Sequence, residues 1–287
     1  MFARITLYIL QILPKYWLTK ISGWIANKNA GWLTKIVIFI FIKIYNVNME
    51  EVQENKISSY TTFNKFFTRT LKKDSRKIIT GNNQLSLPAD GIITSLGKIT
   101  NYNLIQAKNQ LYKLITLFAG NTFLSTKFNN GLFLTIYLSP KDYHRVHIPC
   151  NGLLNKMIYV PGTLFPLNTY AINNITDIFV RNERLICIFT TPFGLVAQIL
   201  IGAIITGSIY TKWHGCVNNK RNKNIISWEY AANKKTNTFF FKKGEEIGKF
   251  QLGSTVITIF EPNRIQLNPM LQIGSISRVG KLLGKSI

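Results

Sequence analysis

Residues 244–260 read GEEIGKFQLGSTVITIF, and this stretch decides the fold class of the region around it. Every side chain of Thr255–Phe260 is β-branched or aromatic, which is typical of a buried strand. The Gly253-Ser254 pair before it predicts a tight turn that leads into this strand. A β fold is therefore expected on both sides of residue 254.

Similar runs recur upstream, from about residue 85, and turns rich in Gly, Pro and Asn separate them. Their spacing predicts a mostly antiparallel β domain. The runs cover residues 91–96, 132–138, 157–160, 185–190 and 195–201.

The first 80 residues have a different pattern. Apolar side chains fall near helical spacing in residues 2–13, and Pro14 is expected to end or kink that helix. A short helix with inward aromatic side chains is expected within 50–80. The predicted fold class is α+β, with a helical region over 1–60 and a β-rich domain over 61–287.

The helical region carries Trp17, Trp24 and Trp32 interleaved with lysines, a pattern typical of a helix at an anionic bilayer surface. A helical hairpin packed on its own domain explains the pattern equally well. The apolar run Ile36–Ile42 is shorter than the roughly 20 residues of a membrane span. Residues 1–13 lack the cleavage signal of a secretory peptide, so we expect none.

The charge balance is strongly basic, with 35 Lys and Arg against 12 Asp and Glu, or +23 formally. Such a chain is attracted to polyanions, either nucleic acid or an anionic lipid surface. Cys150, Cys187 and Cys216 are scattered and odd in number, so they predict neither disulfides nor a zinc site. A reduced, cytosolic setting fits them best.

Two upstream motifs carry groups suited to acid–base chemistry. Asp90 lies in PADG at 88–91, where a turn is the simplest interpretation, but its carboxylate could also orient a histidine. His144 and His147 lie in YHRVH at 143–147, a segment that favours an extended chain and hence opposite faces for the two rings. A metal site would need a third ligand, and the sequence offers only His214 or the isolated cysteines, so no metal site is predicted.

Ser254 has no G-x-S-x-G motif around it, so the usual hydrolase elbow is not predicted. Gly253 has no Cβ, which opens backbone conformations closed to other residues. A seryl Oγ held against the preceding carbonyl can attack it and convert the amide into an ester. That ester can break by elimination if a base removes the α-proton of Ser254.

Taken together, PADG at 88–91, YHRVH at 143–147 and LGST at 252–255 resemble the motifs of the phosphatidylserine decarboxylase family. The resemblance covers essentially the whole chain, and the N-terminal segment resembles the bacterial membrane-associated branch. It implies N-terminal membrane-binding helices and a β catalytic domain with a hammerhead or barrel-sandwich-like unit. The stretch at 214–237 departs from the family pattern and leaves loop detail open.

The resemblance also implies roles. Asp90, His147 and Ser254 would form a relay that cuts the chain after Gly253, giving a β chain 1–253 and an α chain 254–287. Ser254 would become a covalent pyruvoyl cofactor that forms a Schiff base with phosphatidylserine, releases carbon dioxide and gives phosphatidylethanolamine. His144 would donate a proton or orient the substrate carboxylate.

The same resemblance implies a peripheral enzyme on the cytoplasmic side of the cell membrane, bound to anionic lipid and not to nucleic acid. The two chains would form a heterodimer, which could itself pair into a dimer of heterodimers. Three other classes stay open on the residues alone. They are a nucleic-acid-binding protein, a serine hydrolase using Asp90, His147 and Ser254 without self-cleavage, and an inactive membrane-bound relative.

Overall fold

The computed structural model describes residues 14–107, 110–204, 209–217, 223–230, 239–251 and 254–287. The helix predicted over residues 2–13 lies outside these ranges, as do Leu252 and Gly253. The described chain begins with two helices and continues mainly as strands, which confirms the α+β class.

Seven α-helices are described, together with one 3-10 turn over Ile57–Ser59. They are α1 Lys15–Asn27, α2 Trp32–Tyr45, α3 Phe63–Phe67, α4 Leu114–Leu117, α5 Thr122–Phe128, α6 Thr169–Asn174 and α7 Ile178–Arg181.

Eighteen strands are described, and all the pairings between them are antiparallel. They are β1 Gln84–Ser86, β2 Gly91–Lys98, β3 Asn103–Ala107, β4 Gln110–Lys113, β5 Leu132–Leu138, β6 Arg145–His147, β7 Gly152–Val160, β8 Arg184–Thr191, β9 Gly194–Gly202, β10 Ile209–Thr211, β11 Gly215–Cys216, β12 Ile226–Glu229, β13 Phe240–Phe241, β14 Glu246–Phe250, β15 Ser254–Phe260, β16 Ile265–Leu267, β17 Ile276–Ser277 and β18 Leu282–Ser286.

The largest sheet has nine strands in the order β12-β7-β8-β9-β15-β5-β2-β17, with β13 also paired to β7. Strand β15 lies between β9 and β5, and all seven of its residues are buried. The strand predicted from the opening stretch is therefore a central strand of the main sheet. The other five predicted runs also lie within strands of this sheet.

Both faces of the large sheet are covered. On one face, Ile136, Leu200 and Val256 belong to a cluster that includes residues of β6 and β14. On the other face, Ile199 and Ile257 pack in a cluster that includes helices α4–α7. Because both faces are buried, the strands read as continuous apolar runs, which is why the sequence signal for them was strong.

A second sheet has four strands in the order β11-β10-β14-β6, and its strand β14 ends just before residue 251. Strand β14 belongs to this sheet and β15 to the large one, so the chain passes from one sheet to the other between Phe250 and Ser254. Smaller sheets are β1-β18-β16 and the hairpin β3-β4. In the described ranges these sheets are open, so the predicted barrel-sandwich-like unit is not a closed barrel.

Helices α1 and α2 pack beside α3. Ile38 of α2 is fully buried with Tyr60 and Phe66 in a separate apolar cluster, so the helical region is anchored on residues beyond 60. Within the described residues no single helix is long and apolar enough to cross a bilayer. Helices α1 and α2 pass such a test only as a pair, and they are bent by 114° relative to each other.

Candidate active site

Ser254 is the first residue of β15 and is fully buried. Its backbone pairs with Leu138 of β5 on one side and Gly202 of β9 on the other. Its Oγ has no hydrogen-bond partner among the described residues. Most buried hydroxyls are hydrogen-bonded, so the Oγ of Ser254 is unusual in this respect, as are the hydroxyls of Thr255 and Thr258 in the same strand.

His144 lies directly before β6 and is only 1% exposed. Its ring stacks on Phe67 of α3 at 4.1 Å between centroids. Thr62 caps that helix, because its side chain accepts a hydrogen bond from the backbone N–H of Lys65, and so fixes where Phe67 falls. The short helix at 63–67 thus places an aromatic side chain against the imidazole of His144.

The protonation of His144 follows from its contacts. Its Nε2 lies 3.0 Å from the carbonyl oxygen of Ser139. A carbonyl can only accept, so Nε2 carries the hydrogen. Burial, followed by the nearby positive charge of Arg69, lowers the pKa of His144 to about 3. The ring is therefore neutral, and its Nδ1, which is buried without a partner, holds a free lone pair.

The contacts of His144 connect it to the end of β5 and to the end of β14. Ser139, which accepts from its ring, directly follows Leu138, the β-sheet partner of Ser254. Its own carbonyl accepts a hydrogen bond of 3.0 Å from the N–H of Phe250, the last residue of β14. The structure therefore ties His144 to the end of the sheet where Ser254 lies.

His147 is less buried and is held at the other end of β14. Its backbone pairs with Glu246, and its Nδ1 lies 2.8 Å from the carbonyl oxygen of Gly244. Its Nε2 lies 3.3 Å from the hydroxyl of Tyr143. Burial lowers the pKa of His147, while the Gly244 carbonyl and the charges of Glu246 and Asp90 act in the opposite direction.

Asp90 is fully buried at the turn before β2. Its carboxylate accepts from both Nε (3.0 and 3.1 Å) and Nη2 of Arg76, from Arg278 at 3.1 Å and from the N–H of Val279 at 2.8 Å. Gly91 follows with a φ of 154°, and a Cβ there would overlap the backbone oxygen of Tyr137. Glycine is thus required for the close approach that places Asp90.

Two sets of contacts bear on the predicted relay. Asp90 influences the pKa of His147 through its charge, and Nδ1 of His147 lies against the carbonyl oxygen of Gly244. His144 contacts Ser139, which follows the strand partner of Ser254. The roles of the four side chains stay predictions, since Gly253 lies outside the described residues.

Sequence reasoning missed several residues around the site. Arg76 and Arg278 neutralise Asp90 from segments with no motif of their own, and Phe67 supplies the wall behind His144. Two of these contacts had a signal in the sequence. The TTFNKFF stretch predicts a short helix with inward aromatic side chains, and Tyr143 and His147 belong to one five-residue motif.

Other reactive side chains are dispersed. Among the described residues, no group of three His, Cys, Asp or Glu could hold a metal ion. Cys150 and Cys187 are buried, Cys216 is partly buried, and all three are free thiols. Burial raises the pKa of Cys150 to about 12, so this thiol is unreactive as a nucleophile.

Comparison with known proteins gives full-length similarity. A family model described as phosphatidylserine decarboxylase matches residues 63–285, and a second, described as PSD, matches residues 6–46. The phosphatidylserine decarboxylase proenzyme of Escherichia coli O9:H4 is 49% identical over 275 residues, 96% of this chain and 85% of the relative. That of Hamiltonella defensa is 48% identical over 286 residues, 100% of this chain and 99% of the relative.

Proposed function

This chain belongs to the phosphatidylserine decarboxylase family, and we propose that it converts phosphatidylserine to phosphatidylethanolamine after cutting itself between Gly253 and Ser254. The observation that carries the proposal is that Ser254, at which the chain would be cut, begins a central strand with its Oγ buried and unpartnered among the described residues. The buried His144 contacts Ser139, which directly follows Leu138, the strand partner of Ser254.

The self-cleavage needs groups that this chain supplies and one molecule of water. With His147 as the base, Ser254 Oγ attacks the Gly253 carbonyl, and the peptide nitrogen leaves as the amide becomes an ester. Removal of the α-proton then expels the Gly253 carboxylate, and addition of water with loss of ammonia leaves a pyruvoyl group at residue 254. His147 Nε2 must first give up its contact with Tyr143.

The surroundings of Ser254 fit such a group. Residue 254 lies between the strands that carry Leu138 and Gly202. No described residue hydrogen-bonds to its Oγ, so no such bond would have to break before the group forms. When formed, a pyruvoyl group supplies a carbonyl that accepts the electron pair released with carbon dioxide. Its burial in the sheet keeps bulk water away from that carbonyl.

We assign His144 to proton transfer with the substrate. Its neutral ring carries a lone pair on Nδ1 and hydrogen-bonds through Nε2 to Ser139. Its task would be to deliver a proton to the carbon that loses carbon dioxide, or to orient the substrate carboxylate. The stacking on Phe67 holds the ring in place for that task.

Cleavage after Gly253 would not separate the two chains. Strand β15 would stay hydrogen-bonded between β5 and β9, and β18 between β1 and β16. Strands of the α chain 254–287 would thus stay hydrogen-bonded to strands of the β chain 1–253, which supports a stable heterodimer. A dimer of such units is part of the same proposal.

We also propose that helices α1 and α2 form a membrane-binding region. Trp17, Trp24 and Trp32 are each at least 60% exposed, and the ammonium of Lys28 lies 4.6 Å from the Trp24 ring. Exposed Trp with adjacent Lys suits the headgroup level of an anionic bilayer. The bent pair would then hold the enzyme peripherally on the cytoplasmic side of the cell membrane.

The experiment is release of labelled carbon dioxide from carboxyl-labelled phosphatidylserine, with phosphatidylethanolamine measured as product. Wild-type protein is expected to turn over, whereas Ser254→Ala is expected to be inactive. Thr258→Val removes another buried hydroxyl of β15 and is the matched control, expected to keep most of its activity. Absence of product from the wild type in anionic vesicles would refute the proposal.

Two further variants separate the histidines. His144→Ala is expected to cleave and to decarboxylate poorly, since its proposed task concerns the substrate. His147→Ala is expected to stay as one chain. The reverse pattern, in which His144→Ala fails to cleave and His147→Ala cleaves, would show that the base for self-cleavage is His144.

A further inference from the structure

A cleft with about 480 Å³ of empty space opens beside the buried Asp90. It is bordered by the segment that follows α2, where the chain leaves the proposed membrane-binding region, and by the loop before His144. Four basic side chains lie in its wall: Arg69, Arg76, Lys141 and Arg278. Their pairing decides which of them is available to an anion.

Arg76 and Arg278 are already neutralised. Arg76 is bound to Asp90 and, at 2.8 Å, to Glu51. Arg278 lies 3.1 Å from the same Asp90 carboxylate. Two guanidinium groups and two carboxylates thus balance each other within the wall. An added anion would have to compete with existing ion pairs to use either arginine.

Arg69 is different, because it is a buried cation without a carboxylate partner. It is 4% exposed, and its Nη2 donates to the backbone oxygens of Lys141 (2.6 Å) and Asp142 (3.1 Å). Its Nε and Nη1 are buried and have no hydrogen-bond partner among the described residues. Unpartnered donors on a buried cation are costly to the fold unless a ligand satisfies them.

The position of Arg69 relates it to the reaction. It follows α3, whose Phe66 lies 5.4 Å from the guanidinium and whose Phe67 stacks on His144. The charge of Arg69 is also felt by His144, since it helps to lower the pKa of that ring. The guanidinium is therefore a neighbour both of the cleft and of the imidazole proposed to serve the substrate.

We propose that Arg69 binds the phosphodiester of the phospholipid headgroup and thereby positions the serine moiety at His144 and residue 254. The inference rests on the proposed function for the identity of the lipid. A phosphodiester keeps its negative charge throughout the reaction, so a fixed guanidinium can hold it at every stage. A carboxylate bound in the same way would be stabilised in the ground state and would resist loss of carbon dioxide.

The test measures binding, so it does not depend on turnover. Dihexanoyl phosphatidylmethanol carries the phosphodiester but has neither amine nor carboxylate, and its affinity is measured by calorimetry below its micelle concentration. Arg69→Met is expected to weaken it by about ten- to a hundredfold, the range for a hydrogen bond to a charged group. Lys98→Met removes an exposed positive charge elsewhere and is expected to change nothing.

Two other ligands identify the occupant. L-serine, which carries the amine and carboxylate alone, is expected to bind wild type and Arg69→Met alike. Inorganic phosphate is expected to bind far more weakly than the diester. Binding of free phosphate as tight as that of the diester would overturn the headgroup assignment, and a loss confined to L-serine would make Arg69 a carboxylate site instead.

Arg69→Lys provides for the case in which Arg69→Met does not fold. This variant keeps the positive charge and loses the planar pair of donors. Its affinity for the diester is expected to fall by about five- to tenfold, whereas the affinity of Lys98→Met is expected to stay unchanged. Equal affinity in Arg69→Lys and wild type, or no diester binding by the wild type, would overturn the proposal. Failure of decarboxylation with this binding pattern intact would refute the proposed function alone.

Discussion

Acid should destabilise the uncut chain through His144. The ring is 1% exposed, and its pKa is lowered from 6.5 to about 3, chiefly by burial. Below pH 6.5 the unfolded chain takes up a proton at this residue that the folded chain does not. The free energy of unfolding therefore falls as the pH drops from 6.5 towards 3, by about 1.4 kcal/mol per pH unit.

At pH 5 the loss from this residue amounts to about 2 kcal/mol, because pH 5 lies 1.5 units below the reference value. The assay is urea unfolding at pH 8 and pH 5, followed by tryptophan fluorescence. Ser254→Ala is the parent, since it is expected to remain one chain. In the parent carrying His144→Gln, the difference in unfolding free energy between the two pH values should shrink by that amount.

Ile93→Val in the same parent is the control, since it reduces a buried apolar side chain without an ionisable group and should lower stability equally at both pH values. The reasoning would be refuted if His144→Gln kept the full pH dependence of its parent. That result would mean that His144 is protonated as readily in the folded chain as in the unfolded one, and the neutral ring assigned to proton transfer would be lost.

Three further outcomes follow. Tyr143→Phe removes the hydroxyl that occupies His147 Nε2, so self-cleavage followed by gel should speed up by about two- to tenfold. Arg76→Met removes the main partner of the buried carboxylate and should lower urea stability by about 3 kcal/mol, whereas Arg264→Met, which removes a half-exposed guanidinium 3.7 Å from its carboxylate, should lower it by under about 1 kcal/mol. Trp24→Ala, at an exposed helix position, should reduce sedimentation with anionic vesicles by about tenfold.

Each of these has a contrary result. Slower cleavage in Tyr143→Phe would make the hydroxyl a helper of the reaction rather than a competitor for His147. Equal stability losses in Arg76→Met and Arg264→Met would show that the ion pairs around Asp90 add little. Unchanged vesicle binding in Trp24→Ala would favour the alternative in which α1 and α2 are an ordinary helical hairpin.

Six strands of the large sheet were predictable because each one carries its own signal. The run Leu132–Leu138 is β5 residue for residue, and Thr255–Phe260 differs from β15 by a single residue. Burial of both sheet faces makes such segments uniformly apolar and β-branched, so short-range pattern and long-range packing agree. The helix at 63–67 was predictable for the same reason, since its aromatic side chains face inward.

The order of the sheets and the partners of the site were not predictable from pattern. Nothing local to Asp90 indicates that Arg278, 188 positions away, reaches its carboxylate. The spacing of His144 and His147 suggested opposite faces, but it could not say that Gly244 would hold one ring and Ser139 the other. Such contacts depend on which strands pair, and the pattern of residues within one segment does not indicate its partner strand.

The most direct measurement of the central claim is the intact mass of the purified wild-type protein beside Ser254→Ala. The account predicts two chains from the wild type, ending at Gly253 and beginning at residue 254, with a carbonyl at the start of the smaller chain that reacts with hydroxylamine. Ser254→Ala should give one full-length chain. A single full-length wild-type species after incubation with anionic lipid, or a break at another bond, would contradict the account.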